Sequence, residues 1–186
     1  MISLHLSDCG LHGRFPDHNI HLPKLEVLSL EGNINLSGNF PRFSESNSLM
    51  VLFLSHTNFS GEFPTSIGNL KSLKTLDLSY CEFSRVIPTS IGNLKTLQTL
   101  NRFDWKFSRS IPTSIGNLKS LQTLNLKFSE FSRVGTSLGK LTQITLLHLN
   151  GNRFGGKIPS AFNNLRNLIS LFLSRNVGSF HYQLEI

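Results

Sequence analysis

The sequence predicts an α/β-type solenoid, a fold in which each short coil of chain stacks on the next. One pattern recurs along the chain: Leu-x-x-Leu-x-Leu, then a small polar residue, then Phe or Leu. Its copies begin at Met1, Leu25, Leu49, Leu73, Leu97, Leu121 and Ile144, with a truncated eighth copy at Leu168. A single copy cannot bury its apolar side chains alone, so a period this regular indicates that neighbouring copies stack.

Each copy is expected to contain one short strand and one helical turn. Leu76-Asp77-Leu78 in the fourth copy alternates apolar and polar residues, which is the period of a strand with one buried face. The Thr-Ser-Ile-Gly-Asn-Leu segments at 65–70, 89–94 and 113–118 follow a proline and predict a short helical turn on the opposite side. Because these turns are wider than the strands, the stack should bend, with the strands along its concave face.

Small polar residues follow the strands, and their side chains can hydrogen-bond to the backbone where the chain turns. They are Cys9, Asn33, Thr57, Cys81, Ser129, Asn152 and Asn176. An inward aromatic column is predicted just beyond them, at Phe59, Phe83, Phe107, Phe131 and Phe154. Cys9 and Cys81 lie three repeats apart, about 14 Å along the stack, which is too far for a disulfide.

Charge is divided unevenly along the chain. Residues 1–93 contain 6 Lys/Arg and 8 Asp/Glu, whereas residues 94–186 contain 12 Lys/Arg and 3 Asp/Glu, which together give the net charge of +7. A basic half can attract polyanions, but no nucleic-acid-binding motif accompanies it, so we predict no nucleic-acid partner. The chain has no apolar run of about 18 residues, so no membrane span is expected.

The segment Phe-Ser-Gly-Glu-Phe-Pro-Thr-Ser-Ile-Gly-Asn-Leu (59–70) and its copies resemble the plant-specific class of leucine-rich repeats, typical of plant receptor-like proteins and receptor-like kinases. The resemblance implies a curved, right-handed superhelix with one short parallel strand per repeat of about 24 residues and 3-10 or irregular turns on the convex side. It covers residues 1–177, with residues 178–186 as a non-repeat tail. The first six residues already belong to a repeat rather than to a secretory signal, so an internal piece of a longer protein or a truncated product is expected.

The resemblance implies an extracellular recognition domain on the plant cell surface that takes part in defence or signal perception. Its partner would be a peptide, protein or oligosaccharide ligand, with a leucine-rich-repeat kinase as a possible co-receptor. One alternative is a secreted wall protein similar to polygalacturonase inhibitors, and another is a truncated fragment with no partner. An enzyme is not expected, because no Ser-His-Asp arrangement can be argued, and no cofactor or metal site is expected either.

The outward strand positions form the predicted binding surface, because exposed aromatic side chains beside polar ones are typical of contact surfaces. We predict ligand contacts at Phe53, His56, Asp77, Tyr80, Phe103, Asp104, Lys127 and Phe128. The alternative is that these rings cover one another or a bulge in the repeats.

Three arginines replace the glycine of the repeat signature at one position of successive copies, Arg85, Arg109 and Arg133. They could bind a polyanion such as polygalacturonate. The alternative is that they form a solvent-exposed row whose mutual repulsion is reduced by nearby glutamates. Asn35 and Asn58 begin glycosylation sequons. In the fifth copy, Arg102 stands where an inward leucine belongs and Trp105 fills the small polar position. We expect residues 101–105 to bulge, with Arg102 turned outward and Phe103 or Trp105 filling the gap, because an unpaired buried arginine is costly.

Overall fold

The computed structural model describes residues 2–16, 22–43, 48–83, 86–102, 110–177 and 180–181. Its regular elements are short strands and 3-10 helices that alternate along the chain. The strands are β1 (Ile2–His5), β2 (His12–Arg14), β3 (Leu25–Ser29), β4 (Asn35–Gly38), β5 (Val51–Phe53), β6 (Asn58–Gly61), β7 (Thr75–Asp77), β8 (Glu82–Phe83), β9 (Thr99–Asn101), β10 (Thr123–Asn125), β11 (Leu146–His148), β12 (Gly156–Lys157), β13 (Ser170–Phe172) and β14 (Phe180–His181). The 3-10 helices are η1 (Thr65–Asn69), η2 (Thr89–Asn93), η3 (Thr113–Asn117), η4 (Thr136–Lys140) and η5 (Ser160–Asn164).

The main sheet of the described chain is parallel and contains eight strands in the order β1-β3-β5-β7-β9-β10-β11-β13. Its register places Leu52 beside Leu76, Leu76 beside Leu100 and Leu100 beside Leu124. These four leucines are at most 1% exposed. The predicted solenoid and the stacking of its leucines are therefore confirmed.

The 3-10 helices lie on the opposite side of the core, as predicted. In the first three, a proline precedes the helix and the isoleucine in its middle is completely buried, at Ile67, Ile91 and Ile115. Neighbouring helices approach so closely that a Cβ on Gly92 would lie 2.7 Å from the carbonyl oxygen of Ser114. The glycine of the Ser-Ile-Gly segment is thus required by packing between repeats.

A second parallel sheet, β2-β4-β6-β8, lies beyond the small polar residues. The sequence did not predict it, because Asn58-Phe59-Ser60-Gly61 contains a single buried apolar residue and no alternation long enough to indicate a strand. Gly61 ends β6 with a φ of 87°, which favours glycine. Where Arg133 replaces this glycine, the described pairing is a single bridge to Ser110.

The pairing between β12 and β14 joins Gly156 to Phe180, a spacing of one repeat. The boundary between residues 177 and 178 stays a prediction, since most of the tail lies outside the described residues. Within the part of the chain that the structure describes, no helix has the length and apolar character needed to cross a membrane.

The expectation that Arg102 turns outward was wrong. Its side chain is 1% exposed and occupies the inward column between Leu78 and Leu126, with the guanidinium carbon 5.7 Å from the ring centre of Phe63. The Arg102 N–H donates to the carbonyl of Asn125, so the backbone keeps the repeat register. Burial lowers the pKa of Arg102 well below its ordinary value. Trp105 and Phe103 lie outside the described residues.

The two cysteines are free thiols, as the repeat spacing predicts, and their surroundings differ. Cys9 is exposed, whereas Cys81 is 4% exposed and burial raises the pKa of its thiol to about 12. Since the thiolate is the reactive form, we expect an aromatic disulfide reagent at neutral pH to label Cys9 alone. Cys81 should react only after denaturant unfolds the chain. A Cys9→Ser control should show no rapid labelling, and fast modification of both native thiols would contradict the burial of Cys81.

Candidate functional site

The exposed face of the eight-stranded sheet, the concave face of the prediction, presents aligned columns of side chains. The strand register places Phe53, Asp77, Asn101, Asn125, His148 and Phe172 in one column. Ser55 and Ser79 belong to the next column. The ladder of hydrogen bonds continues past the strands, because the Leu78 N–H donates to the carbonyl of Asn101 and the His56 N–H donates to the carbonyl of Ser79. The repeat period places Glu31 and Lys127 in this second column.

A third column lies at the turn after each strand, and its residues share a left-handed backbone conformation. Glycine occupies the position at Gly32 and Gly151, with φ values of 75° and 70°. His56, Tyr80 and Phe128 adopt the same conformation, with φ values of 53°, 57° and 49°. Bulky residues rarely adopt this conformation, and such residues cluster at binding and catalytic sites. Asp8 and Arg175 share it at φ values of 53° and 57°, so the left-handed turn is a feature of the repeat, and the exposed aromatic residues that occupy it make the column a candidate for function.

His56 and Tyr80 form one aromatic pair in the left-handed column. Their ring centres are 4.2 Å apart at an interplanar angle of 26°, and both side chains are exposed. Phe128 is arranged differently, because its ring lies over Gly151 where any Cβ would overlap it. Phe128 therefore covers the backbone of the next repeat, which agrees with the alternative that some of these rings cover the repeats themselves.

An open cavity of about 280 Å³ lies on the concave face beside the aromatic pair. Its lining residues are Glu31, Ser55, His56, Asp77, Ser79, Tyr80, Asn101, Asn125 and Lys127. The half-buried Asp77 carboxylate is held in place, because Oδ1 accepts a hydrogen bond from the Ser79 N–H and Oδ2 accepts one from Asn101 Nδ2, both at 2.9 Å. The cavity thus combines fixed charge, amides and an aromatic surface, which are groups that can bind a polar ligand.

The cavity brings together His56, Asp77, Tyr80 and Lys127 from the predicted contact set. Phe53 pairs in register with Asp77 but does not line the cavity, and neither does Phe128. Phe103 and Asp104 lie outside the described residues. Glu31 was missed as a site residue although it shares the outward column of Lys127, because the sequence alone does not show how many repeats one cavity spans.

His148 and Phe172 form a second stacked pair, with ring centres 4.3 Å apart at 10°. The pKa of His148 is lowered, first by burial and then by the charge of Lys127. This pair lies farther along the concave face, so aromatic contacts continue beyond the cavity.

The remaining sequence-predicted sites stay predictions. Arg133 is exposed and bridges to Ser110, while Arg85 and Arg109 lie outside the described residues. Asn35 and Asn58, the sequon asparagines, are exposed first residues of β4 and β6. Among the described residues, no group of three His, Cys, Asp or Glu side chains could hold a metal ion.

Comparison with known proteins identifies the repeat class. A family model described as Leucine Rich Repeat matches residues 48–70, 72–94 and 143–165. Receptor-like protein 6 of Arabidopsis thaliana is 49% identical over 71 residues, which are 38% of this chain and 7% of that protein. The chain therefore spans a small part of this curated relative.

Solved structures extend the likeness to nearly the whole chain. The ectodomain of the Arabidopsis receptor kinase HAESA, in complex with an N-terminally extended IDA peptide hormone, is 34% identical with a TM-score of 0.82 over 95% of this chain and 30% of that one. HAESA in complex with IDA and the co-receptor SERK1 is 29% identical with a TM-score of 0.68, over 96% and 34% of the two chains. The chain therefore contains leucine-rich repeats, and they are similar to the repeats of plant receptor-like proteins and receptor ectodomains.

Proposed function

We propose that this chain is a ligand-binding segment of a plant cell-surface receptor-like protein, and that it binds a peptide or protein ligand on its concave face. The cavity lined by Asp77, Tyr80 and Lys127 is the observation that carries this proposal. A fixed carboxylate, an ammonium and a stacked aromatic pair suit an extended peptide, which offers charged side chains and main-chain hydrogen-bonding groups together.

The strain at His56 and Tyr80 supports the same function. A left-handed bulky residue costs about 1–3 kcal/mol, whereas glycine occupies the position at no such cost in the repeats of Gly32 and Gly151. Glycine at either position would therefore relieve this cost. The exposed ring pair offers a ligand an aromatic surface that glycine would not provide.

The related structures support a peptide as the ligand and a second receptor as a partner. HAESA binds IDA in one complex and both IDA and the co-receptor SERK1 in another. By analogy, we assign this segment to the extracellular side of the plasma membrane, with signalling carried by other parts of the receptor or by a co-receptor.

The test is selection from a display library of random dodecapeptides on the purified chain. Peptides enriched on the native chain should bind at least tenfold more weakly to the double variant His56→Gly/Tyr80→Gly. This variant should stay folded, because glycine already occupies the same position at Gly32 and Gly151. The Lys71→Ala control, an exposed change after η1, should bind like the native chain.

Two outcomes would overturn the proposal. Either no peptide is enriched above an empty surface, or the enriched peptides bind equally well to the double variant. Binding of polygalacturonate instead of peptide, measured on the same surface, would assign the chain to wall-polysaccharide recognition.

A further inference from the structure

The charged residues in the described lining of the concave cavity are separated by sign. Glu31 and Asp77 line the part formed by the second and fourth repeats, and Lys127 lines the part formed by the sixth. Asn101, which is uncharged, lies in the fifth repeat between them, and the uncharged Asn125 lies in the same repeat as Lys127. The cavity therefore has an acidic end and a basic end along the axis of the stack, in the same direction as the charge asymmetry of the whole chain.

The acidic end has the geometry to bind a planar cation. Asp77 accepts one hydrogen bond at each oxygen, from Ser79 and from Asn101, and a carboxylate has about four acceptor positions. Both oxygens can therefore take a further donor, as an arginine fork requires. Tyr80 is 43% exposed, its ring stacks on His56, and it lines the same cavity, so it can support the flat face of a guanidinium. A lysine ammonium can pair with Asp77 but lacks the planar fork that uses both oxygens and the ring.

The spacing of the two ends can be read from the repeats. The Asp77 carboxylate leans toward Ser79, and the counterpart of Ser79 two repeats later is Lys127. Two strand spacings are about 10 Å, and a peptide in the polyproline II conformation advances about 3.1 Å per residue with about three residues per turn. An arginine on Asp77 and a carboxylate on Lys127 are therefore about three residues apart in such a ligand, where one full turn places both side chains on the same side.

We infer that this cavity selects a peptide segment in which an arginine and an aspartate or glutamate are separated by three positions. The arginine lies on Asp77 and Tyr80, the ligand carboxylate lies on Lys127, and the amides of Asn101 and Asn125 hydrogen-bond to the peptide backbone between them. This inference rests on the proposed function, and it adds the sequence pattern that the ligand must have.

The two charged ends also exclude simpler ligands. An acidic polysaccharide would pair with Lys127 but would be repelled by Glu31 and Asp77, and a purely basic peptide would face the opposite conflict. Specificity of this kind comes as much from repulsion of the wrong ligand as from attraction of the right one.

The test uses an array of synthetic dodecapeptides of alanine and glycine that contain one arginine and one glutamate at separations from one to six positions. Peptides with arginine alone, glutamate alone and no charge complete the array. Binding of the purified chain should be strongest at a separation of three, at least tenfold above the singly charged peptides. Equal binding at all separations, or equal binding to glutamate alone, would overturn the inference.

Two variants assign the two ends independently. Asp77→Asn should remove the preference for arginine and keep that for glutamate, whereas Lys127→Gln should do the reverse. Glu62→Gln and Lys74→Gln, matched changes at exposed positions outside the cavity, should leave the pattern unchanged. If random peptides bind in a manner sensitive to His56→Gly/Tyr80→Gly but no arginine-glutamate spacing is preferred, the proposed function stands and this inference fails. If no peptide binds, both fail.

Discussion

Replacing Arg102 with leucine should raise the free energy of unfolding by about 1–4 kcal/mol, the range found when buried ionic groups are exchanged for well-packed apolar ones. Arg102 is 1% exposed and occupies an inward position between Leu78 and Leu126, both completely buried. Taking a guanidinium out of water is costly, and its position near the ring of Phe63 returns part of that cost. Leucine at this position would match the column on both sides. Denaturant unfolding of the two proteins measures the difference.

The control is Arg166→Leu, which makes the same chemical change at an exposed position. It should change the free energy of unfolding by no more than about 0.5 kcal/mol, as substitutions on the surface usually do. A loss of stability in Arg102→Leu would show that the contacts of the arginine outweigh the cost of its burial.

The advantage of leucine at position 102 should also depend on pH. Burial lowers the pKa of Arg102 well below its ordinary value, so the unfolded chain binds more protons at pH values between the folded-state pKa and that ordinary value. The stability contribution of this group therefore rises with pH through that range and falls as the pH decreases. The difference between the Arg102→Leu and native chains should narrow as the pH rises through that range, measured as the shift between their unfolding midpoints.

The position of Arg102 follows the register of the repeats and not the usual preference of arginine for solvent. The repeat of the leucines predicted the sheet and its register, because the leucines at equivalent positions of neighbouring copies all face inward. The expectation for Arg102 was drawn from the side chain alone. Its backbone, however, is held by the ladder on the adjoining strand, where its N–H donates to Asn125. Once neighbouring repeats fix the register, the side chain must occupy the inward position.

The candidate site was predicted less completely than the fold. Strand alternation identified outward residues such as Asp77 and Lys127, and the structure places both at one cavity. The turn residues need a backbone angle that strand alternation does not specify. Tyr80 and Phe128 share this angle, yet Tyr80 stacks on His56 beside the cavity while Phe128 lies over Gly151. The identity of the residue in the next repeat decides between these arrangements.

Replacing Asn152 with alanine should lower the free energy of unfolding by at least about 3 kcal/mol, since each buried polar group left without a partner costs about 1–3 kcal/mol. Asn152 is 1% exposed. Its Nδ2 donates to the carbonyl of Leu126 at 2.8 Å, and its Oδ1 accepts from the N–H groups of Ser129 and Phe131 at 3.1 Å. Alanine would leave all three backbone groups buried without this partner. Denaturant unfolding measures the loss.

Asn163→Ala is the matched control, because Asn163 is exposed in η5 and the same atoms are removed. Its free energy of unfolding should change by no more than about 0.5 kcal/mol. Amide hydrogen exchange separates a local effect from a general one. In Asn152→Ala, the Ser129 and Phe131 N–H groups should exchange faster than the global loss of stability explains, because their acceptor has gone. A loss below about 1 kcal/mol with unchanged exchange at these two amides would show that water replaces the hydrogen bonds of Asn152. The small polar residues that follow the strands would then not be what holds adjacent repeats together.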